Sequence, residues 1–85
     1  MPRVTGNVVT GGTPAASAYV QLRNPHGDFC GETHADDDGR FVLYAVPGHW
    51  RLVSWLPGQG QTEQDVEVGS GELEVELSLA ADRVP

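Results

Sequence analysis

The sequence predicts an all-β protein in which two sheets pack face to face, and three observations carry this prediction. Eleven glycines and six prolines divide the 85 residues into short apolar segments, a spacing typical of β-sandwiches and barrels. No segment repeats its apolar residues at the 3.6-residue period of an amphipathic helix. From Leu73 to Leu79 every second residue is apolar, so one face of this segment must be buried. A chain of this length forms a single domain, residues 1–85.

Seven strands account for the apolar segments. In chain order they are Arg3–Thr10, Ala18–Arg23, Asp28–His34, Arg40–Ala45, His49–Trp55, Thr62–Val68 and Glu72–Leu79. The breaks between them are rich in turn formers, as in GGTPAA (11–16), NPHG (24–27) and VPG (46–48). We expect the tail AADRVP (80–85) to fray. Because each strand has one apolar face, two sheets are needed to bury these faces against each other.

Alternation along the strands assigns the residues of each face. The apolar face includes Val4, Gly6 and Val8 of the first strand, Ala18, Val20 and Leu22 of the second, Phe41 and Leu43 of the fourth, Trp50 and Leu52 of the fifth, and Val66 and Val68 of the sixth. We expect the fourth and fifth strands to adjoin, and their opposite face carries Val42, Tyr44, Arg51, Val53 and Trp55. That face is more apolar than a solvated strand requires, so we expect a second layer or a partner to cover it.

The chain is acidic, with 12 Asp and Glu residues against 5 Arg, no Lys and a formal net charge of −7. Such a chain repels phosphate backbones and anionic lipids, so we expect neither nucleic acid nor a membrane as a partner. The single cysteine, Cys30, allows no internal disulfide. Because small secreted domains usually depend on disulfides, and the N-terminus lacks the apolar run of a signal peptide, we expect a cytoplasmic protein.

Three motifs resemble a known superfamily: GNV (6–8), TPAASAYVQL (13–22) and DGRFVLYAVPGHWRL (38–52). They are similar to the carboxypeptidase-regulatory-like, or transthyretin-like, superfamily, in which Trp50 takes the place of a usual tyrosine. Within it the chain looks most like a family of short uncharacterised bacterial domains, some of which accompany thiosulfate sulfurtransferases. The resemblance covers residues 4–79 and implies a seven-stranded antiparallel Greek-key β-sandwich of the transthyretin (prealbumin) type. It leaves the function open, because sites are grafted onto folds.

Two chemistries of better-known relatives are excluded or not implied. The isopeptide crosslinks of adhesin sandwiches need a lysine, and this chain has none. The hydroxyisourate hydrolases end in a Tyr-Arg-Gly-Ser segment, whereas this chain ends in LSLAADRVP (77–85). We therefore expect no catalytic residues, no cofactor and no enzymatic activity.

The acids Asp36, Asp37 and Asp38 precede Gly39 and raise the question of a calcium site. Calcium needs six to eight oxygen ligands, and here the strand beginning at Arg40 follows with no closing glutamate. We interpret the acids as a hairpin turn at Asp38–Gly39, with Asp36 and Asp37 capping backbone N–H groups. Metal binding by Asp36 and Asp38 stays open as an alternative.

A second candidate metal site consists of Cys30, Glu32 and His34, which alternate along one strand. Neighbours two apart lie about 6.6 Å from each other, so two of the three side chains can share a zinc ion. A closed site needs four ligands and would have to recruit His26 or His49. We interpret the face as solvated, with a semi-buried thiol, and keep metal binding as the alternative. No sulfur-carrying role is expected of Cys30.

The candidate interaction surface consists of Tyr44, Arg51 and Trp55, since Trp50 is expected in the core in register with Leu52. A row of three outward acids, Glu72, Glu74 and Glu76, is expected to face solvent and to discourage unwanted strand pairing.

These observations favour a non-enzymatic module that acts by protein–protein contact, through its loop ends or an exposed sheet edge. The partner is another protein or a second copy that forms a homodimer. Two alternatives stay open. One is a binding module for carbohydrate, stacked on exposed aromatic rings such as Trp55 and Tyr44, or for a metal ion. The other is an accessory factor in sulfur transfer, which only the family resemblance suggests.

Overall fold

The computed structural model of the chain describes residues 2–58 and 60–79 and shows a β-sandwich. The strands are β1 (Arg3–Thr10), β2 (Thr13–Pro14), β3 (Tyr19–Arg23), β4 (Phe29–His34), β5 (Arg40–Tyr44), β6 (Gly48–Trp55), β7 (Gln61–Val68) and β8 (Leu73–Leu79). Within these described ranges no helix is long and apolar enough to cross a membrane. The tail expected to fray, residues 80–85, lies outside the described residues.

Two sheets form the sandwich. In one, which we call the β1 sheet, β1 lies between β8 on one side and β5 and β2 on the other. In the other, the β3 sheet, the order is β4-β3-β6-β7. Strands β3, β4 and β5 follow one another around the sandwich, and β6 returns to pair with β3, which is the Greek-key arrangement. The predicted β-sandwich is confirmed.

Two details of the sheets differ from the prediction. The segment 11–16, expected to be only a break, contains the two-residue strand β2, which pairs with the end of β1. Strand β8 runs parallel to β1, from Val4 opposite Leu73 to Thr10 opposite Leu79, whereas the other pairs are antiparallel. Strand β8 follows β7 of the opposite sheet, so its direction depends on a crossing between sheets that local alternation does not encode.

The strands on either side of the two turns in residues 35–55 do not pair as expected. We expected β5 and β6 to adjoin, and Asp38–Gly39 to close a hairpin between β4 and β5. In the structure β4 and β6 belong to the β3 sheet and β5 to the β1 sheet. Both turns therefore cross from one sheet to the other. Glycine and proline allow the chain to reverse in the same way whether the next strand pairs with the previous one or faces it.

The core lies between the two sheets and follows the predicted alternation. Its larger buried side chains are Val4, Val8, Val20, Leu22, Phe41, Leu43, Leu52, Val66, Val68, Leu77 and Leu79. Trp50 is half-buried rather than central: its ring packs against this core and its Nε1 donates a hydrogen bond to the Val46 carbonyl at 2.8 Å. That bond ties β6 to the turn after β5.

The predicted NPHG turn has the geometry expected of its asparagine. The side-chain oxygen of Asn24 accepts the backbone N–H groups of His26 and Asp28, both at 2.9 Å. An asparagine that binds the backbone ahead of it in this way replaces the hydrogen bonds that a strand would make. Strand β3 therefore ends at Arg23 and β4 begins at Phe29.

Candidate functional site

The acid triplet forms a turn that Asp36 organises. The Asp36 Oδ1 atom accepts the backbone N–H groups of Asp38 at 2.8 Å and Arg40 at 3.0 Å. The Asp36 N–H donates to the Arg40 carbonyl at 2.8 Å. The N–H bonds from Arg40 and then Asp38 hold the pKa of Asp36 below its usual value. The turn interpretation is confirmed for Asp36, whereas the Asp37 side chain, expected to cap as well, makes no hydrogen bond within the described residues.

The same turn is fastened to β1 through Gly39. The Gly39 carbonyl accepts the N–H of Val8 at 2.6 Å, and Gly39 adopts a φ of +78°. The Asp36–Gly39 turn therefore holds the start of β5 against β1. It also occupies the backbone N–H and C=O groups of Arg40, which face away from β1.

We expect Asp36→Asn to lower stability at neutral pH and to flatten its acid dependence. A depressed carboxyl pKa means that the charged group stabilises the fold above its unfolded pKa of 3.8. That stability is lost as the pH falls through the lower folded pKa. Asparagine keeps an acceptor oxygen but not the charge. Melting temperatures measured between about pH 2 and pH 6 should thus fall less steeply below about pH 4 in the variant.

Asp37→Asn is the matched control, because it removes one charge from the same turn without touching these backbone bonds. Its melting temperature should follow the wild-type curve. An acid slope that is the same for Asp36→Asn and Asp37→Asn would show that the capping carboxylate does not stabilise the turn.

Of the predicted trio, Glu32 and His34 lie on the outer face of β4, whereas Cys30 lies at a β-bulge between Phe29 and Gly31. All three side chains are exposed. The thiol of Cys30 is therefore not semi-buried as expected. Strand β4 is at the edge of its sheet, and its outer face is open. His34 Nε2 lies 3.8 Å from Glu32 Oε2. Among the described residues no three of these ligand types are close enough to share a metal ion.

His34 also belongs to a row of rings on the outer face of the β3 sheet. Tyr19 of β3 lies opposite His34 of β4 and Trp55 of β6. The Tyr19 and His34 rings meet edge to face, with centroids 4.6 Å apart, and the Tyr19 and Trp55 rings stack at 5.1 Å. Val53, two residues before Trp55 in β6, is 7% exposed although it points away from the core. The apolar outer face of β6 is thus covered in part by the chain itself.

Arg51 lies on this outer face and is held by the neighbouring strand. Its Nε donates to Asp65 Oδ1 at 3.0 Å, and its guanidinium lies 3.9 Å from Glu63. The hydrogen bond and charge of Asp65 raise the pKa of Arg51 above its usual value. The guanidinium is therefore engaged within the domain rather than displayed alone to a partner.

Tyr44 does not share a surface with Arg51 and Trp55. It lies on the outer face of the β1 sheet, whereas Arg51 and Trp55 lie on the outer face of the β3 sheet. The sandwich separates them because β5 and β6 face each other across the core. The structure thus brings Arg51 and Trp55 to one side and places Tyr44 on the other.

Tyr44 instead belongs to a group of exposed apolar residues, which we call the β5 edge: Val42 and Tyr44 of β5, and Val46 just after the strand ends. Their exposed fractions are 44%, 58% and 52%, and the fourth exposed large apolar side chain described is Phe29 at the start of β4. The candidate surface proposed from the sequence omitted Val46, and it named Val42 only as part of the apolar outer face. A usable signal was present, since the chain carries no acid between Asp38 and Glu63 although it has 12 in total.

A groove of about 700 Å³ runs beside β5. Its walls include Thr33 and His34 of β4, and Val42 of β5. The groove is also lined by an ion pair in which Arg3 donates to Glu72 at 3.1 Å, which raises the pKa of Arg3 and lowers that of Glu72. Asp36 and Glu74 also line this groove, so its walls carry acids beside the apolar Val42.

Comparison with known proteins adds the family but not a function. One structure that the chain resembles is the crystal structure of a DUF3823 family protein from Parabacteroides merdae, with a TM-score of 0.62 and 18% identity. The match covers 93% of this chain and 45% of that one, so the chain spans less than half the length of that protein, and at this identity the likeness shows the fold alone. No curated protein matches the sequence. The family model described as "Protein of unknown function (DUF1416)" matches residues 2–79, and the chain belongs to this family.

Proposed function

We propose that the protein is a non-enzymatic β-sandwich module that acts by binding a protein chain along the β5 edge. The observation that carries the proposal is that Val42 and Tyr44 are exposed on the edge strand β5 of the β1 sheet, with the exposed Val46 just beyond its end. A cytoplasmic location and membership of the transthyretin-like superfamily belong to the same proposal. They rest on the single cysteine and on the motifs at 6–8, 13–22 and 38–52.

The charges on the sandwich support this choice of edge. Edge strands of soluble proteins usually carry charged side chains that prevent pairing with other chains. Apart from the two-residue β2, which carries no charge, the other edge strands of the described structure are acidic: β4 carries Glu32, β7 carries Glu63, Asp65 and Glu67, and β8 carries Glu74 and Glu76. Strand β5 carries no carboxylate and has apolar side chains exposed instead. An added polypeptide strand satisfies both its apolar side chains and its unpaired main-chain groups.

The alternative ligands have less support from the geometry. The Trp55 and Tyr44 rings lie on opposite sides of the sandwich, so a sugar could stack on one of them but not on both. One face of the Trp55 ring is also covered by Tyr19. A role beside a thiosulfate sulfurtransferase rests on the sequence resemblance alone.

The test is affinity purification of the tagged chain from its native host after mild crosslinking, followed by mass spectrometry. Wild-type protein should retain a specific protein or untagged copies of itself, and Val42→Lys should lose it. Ser78→Lys, which adds the same charge to the outer face of β8, should retain it. The proposal fails if Val42→Lys retains everything that the wild-type protein does, or if the wild-type protein retains nothing.

A further inference from the structure

We infer that the chain that pairs with the β5 edge is a second copy of this protein, whose own β5 runs antiparallel to the first about a two-fold axis. The inference rests on the proposed function, since both use the β5 edge. It goes further by naming the partner and the register. Its support is the pattern of backbone groups along β5.

Hydrogen bonds at the two ends of β5 fix the direction of its backbone groups. Val8 donates to the Gly39 carbonyl at 2.6 Å, and Ala45 donates to the Pro2 carbonyl at 3.1 Å. Successive residues of an antiparallel strand direct their N–H and C=O groups to alternate edges. The odd-numbered residues of β5 therefore face β1, and the even-numbered residues face the outer edge.

Of the even-numbered residues, Arg40 is already occupied. Its N–H donates to the Asp36 carboxylate at 3.0 Å, and its carbonyl accepts the Asp36 N–H at 2.8 Å. The residues left are Val42 and Tyr44, which pair with Thr5 and Arg3 of β1 at positions where no backbone bonds are exchanged. The open part of the edge is thus two residues long, and it lies where the exposed apolar side chains are.

This arrangement is self-complementary in one register. If Val42 of one copy lies opposite Tyr44 of the other, each Val42–Tyr44 pair exchanges two hydrogen bonds, and the two-fold axis passes beside Leu43. All the open N–H and C=O groups of both strands are then used. The neighbouring possibility, Val42 opposite Val42, places Tyr44 against Arg40, whose groups Asp36 already holds.

Side chains and charge favour the same pairing. On the outer face each Val42 side chain contacts the Tyr44 ring of the other copy. The two-fold axis makes two such contacts, and each removes exposed apolar surface from water. Two chains of charge −7 repel each other, and the repulsion is smallest where no carboxylate lies on the paired strands. Self-pairing through β7 or β8 would instead bring two rows of acids together.

The test is the mass in solution, measured by sedimentation and light scattering over a range of concentrations. The wild-type mass should rise with concentration from 9.1 kDa towards twice that value, and added salt should promote dimers by screening the acids. Val42→Lys should raise the dimer dissociation constant at least about tenfold, and Ser78→Lys should not. Val42→Pro, which removes an N–H that faces the outer edge and breaks no hydrogen bond to β1, should act like Val42→Lys. Circular dichroism checks that each variant is folded.

The register has its own test in a Cys30→Ser background. A mixture of Val42→Cys and Tyr44→Cys chains should form a mixed disulfide under mild oxidation, since residues opposite each other lie about 5.5 Å apart at Cα. Crosslinking of Val42→Cys chains to one another instead would overturn this register.

The two ideas fail in distinguishable ways. A wild-type protein that stays monomeric at all concentrations and salts, while Val42→Lys loses a host protein in the purification, overturns the second copy as partner and supports another chain on the β5 edge. A dimer that survives Val42→Lys and Val42→Pro overturns the inference, because it forms elsewhere. A Val42→Lys variant that retains both the dimer and every host protein overturns the inference and the proposed function together.

Discussion

Replacing Gly39 with alanine is expected to cost about 3 kcal/mol of unfolding free energy, a large part of the stability of a domain of this size. Two effects add. At a φ of +78° an alanine is strained by about 1 kcal/mol or more. Its Cβ would also lie 2.6 Å from the Val8 carbonyl oxygen and 3.2 Å from the Ala15 nitrogen. Both are backbone atoms, so β1 and the segment after β2 would have to move.

Gly27 supplies the matched control, because it has a φ of +86° and open space where a Cβ would lie. Gly27→Ala should show the conformational strain alone, about 1 kcal/mol. Urea denaturation followed by tryptophan fluorescence measures both variants. The difference between them isolates the close approach of the turn to β1. Equal losses for the two variants would mean that the turn can move away from β1 without cost.

Gly39 and Asp36 together fix the position of β5 and decide which of its backbone groups stay unpaired. The bond from Val8 to Gly39 holds the start of β5 on β1, and Asp36 occupies the edge at Arg40. The open part of the edge is thereby restricted to Val42 and Tyr44. A local turn that resembles a metal site in sequence therefore defines the length of the proposed docking edge.

Local chemistry made the sandwich predictable from the sequence. The alternation from Leu73 to Leu79 and the Asp-Gly and Asn-Pro turns each depend on residues that are close in the chain. The limits of β1 were predicted without error, and other strand limits shifted by one residue. The role of Asp36 as a cap was also accessible, because an aspartate before a turn binds the backbone two residues ahead.

Pairing between distant strands was not predictable in this way. Which sheet a strand enters after a turn depends on the packing of the whole core, and no short segment contains that information. For this reason Tyr44, Arg51 and Trp55 were expected on one surface and lie on two. The acid-free stretch between Asp38 and Glu63 was visible in the sequence. Its meaning required the knowledge that β5 is an edge strand while β6 is an inner one.

The second large effect is expected in the middle of the β1 sheet, where Gly6→Ala should cost about 2–4 kcal/mol. Gly6 lies between Phe41 of β5 and Val75 of β8. A Cβ at this position would overlap the Val75 carbonyl oxygen and approach two atoms of the Phe41 ring to 3.0 Å. The aromatic ring can turn, but the carbonyl belongs to the backbone of β8. Strand β8 would therefore have to move away from β1.

Gly31→Ala is the comparison that makes this prediction specific, because Gly31 also lies within a strand but has open space where its Cβ would be. Alanine there restricts the unfolded chain without a clash, so stability should stay level or rise by up to about 1 kcal/mol. Unfolding of both variants in urea gives the two values. A Gly6→Ala protein within about 1 kcal/mol of wild type would contradict the tight packing of β5 and β8 against β1. A loss as large as expected would show that β8 and the Phe41 ring can pack this close to β1 only because Gly6 has no side chain. The same packing holds β5, and therefore the β5 edge, in place on β1.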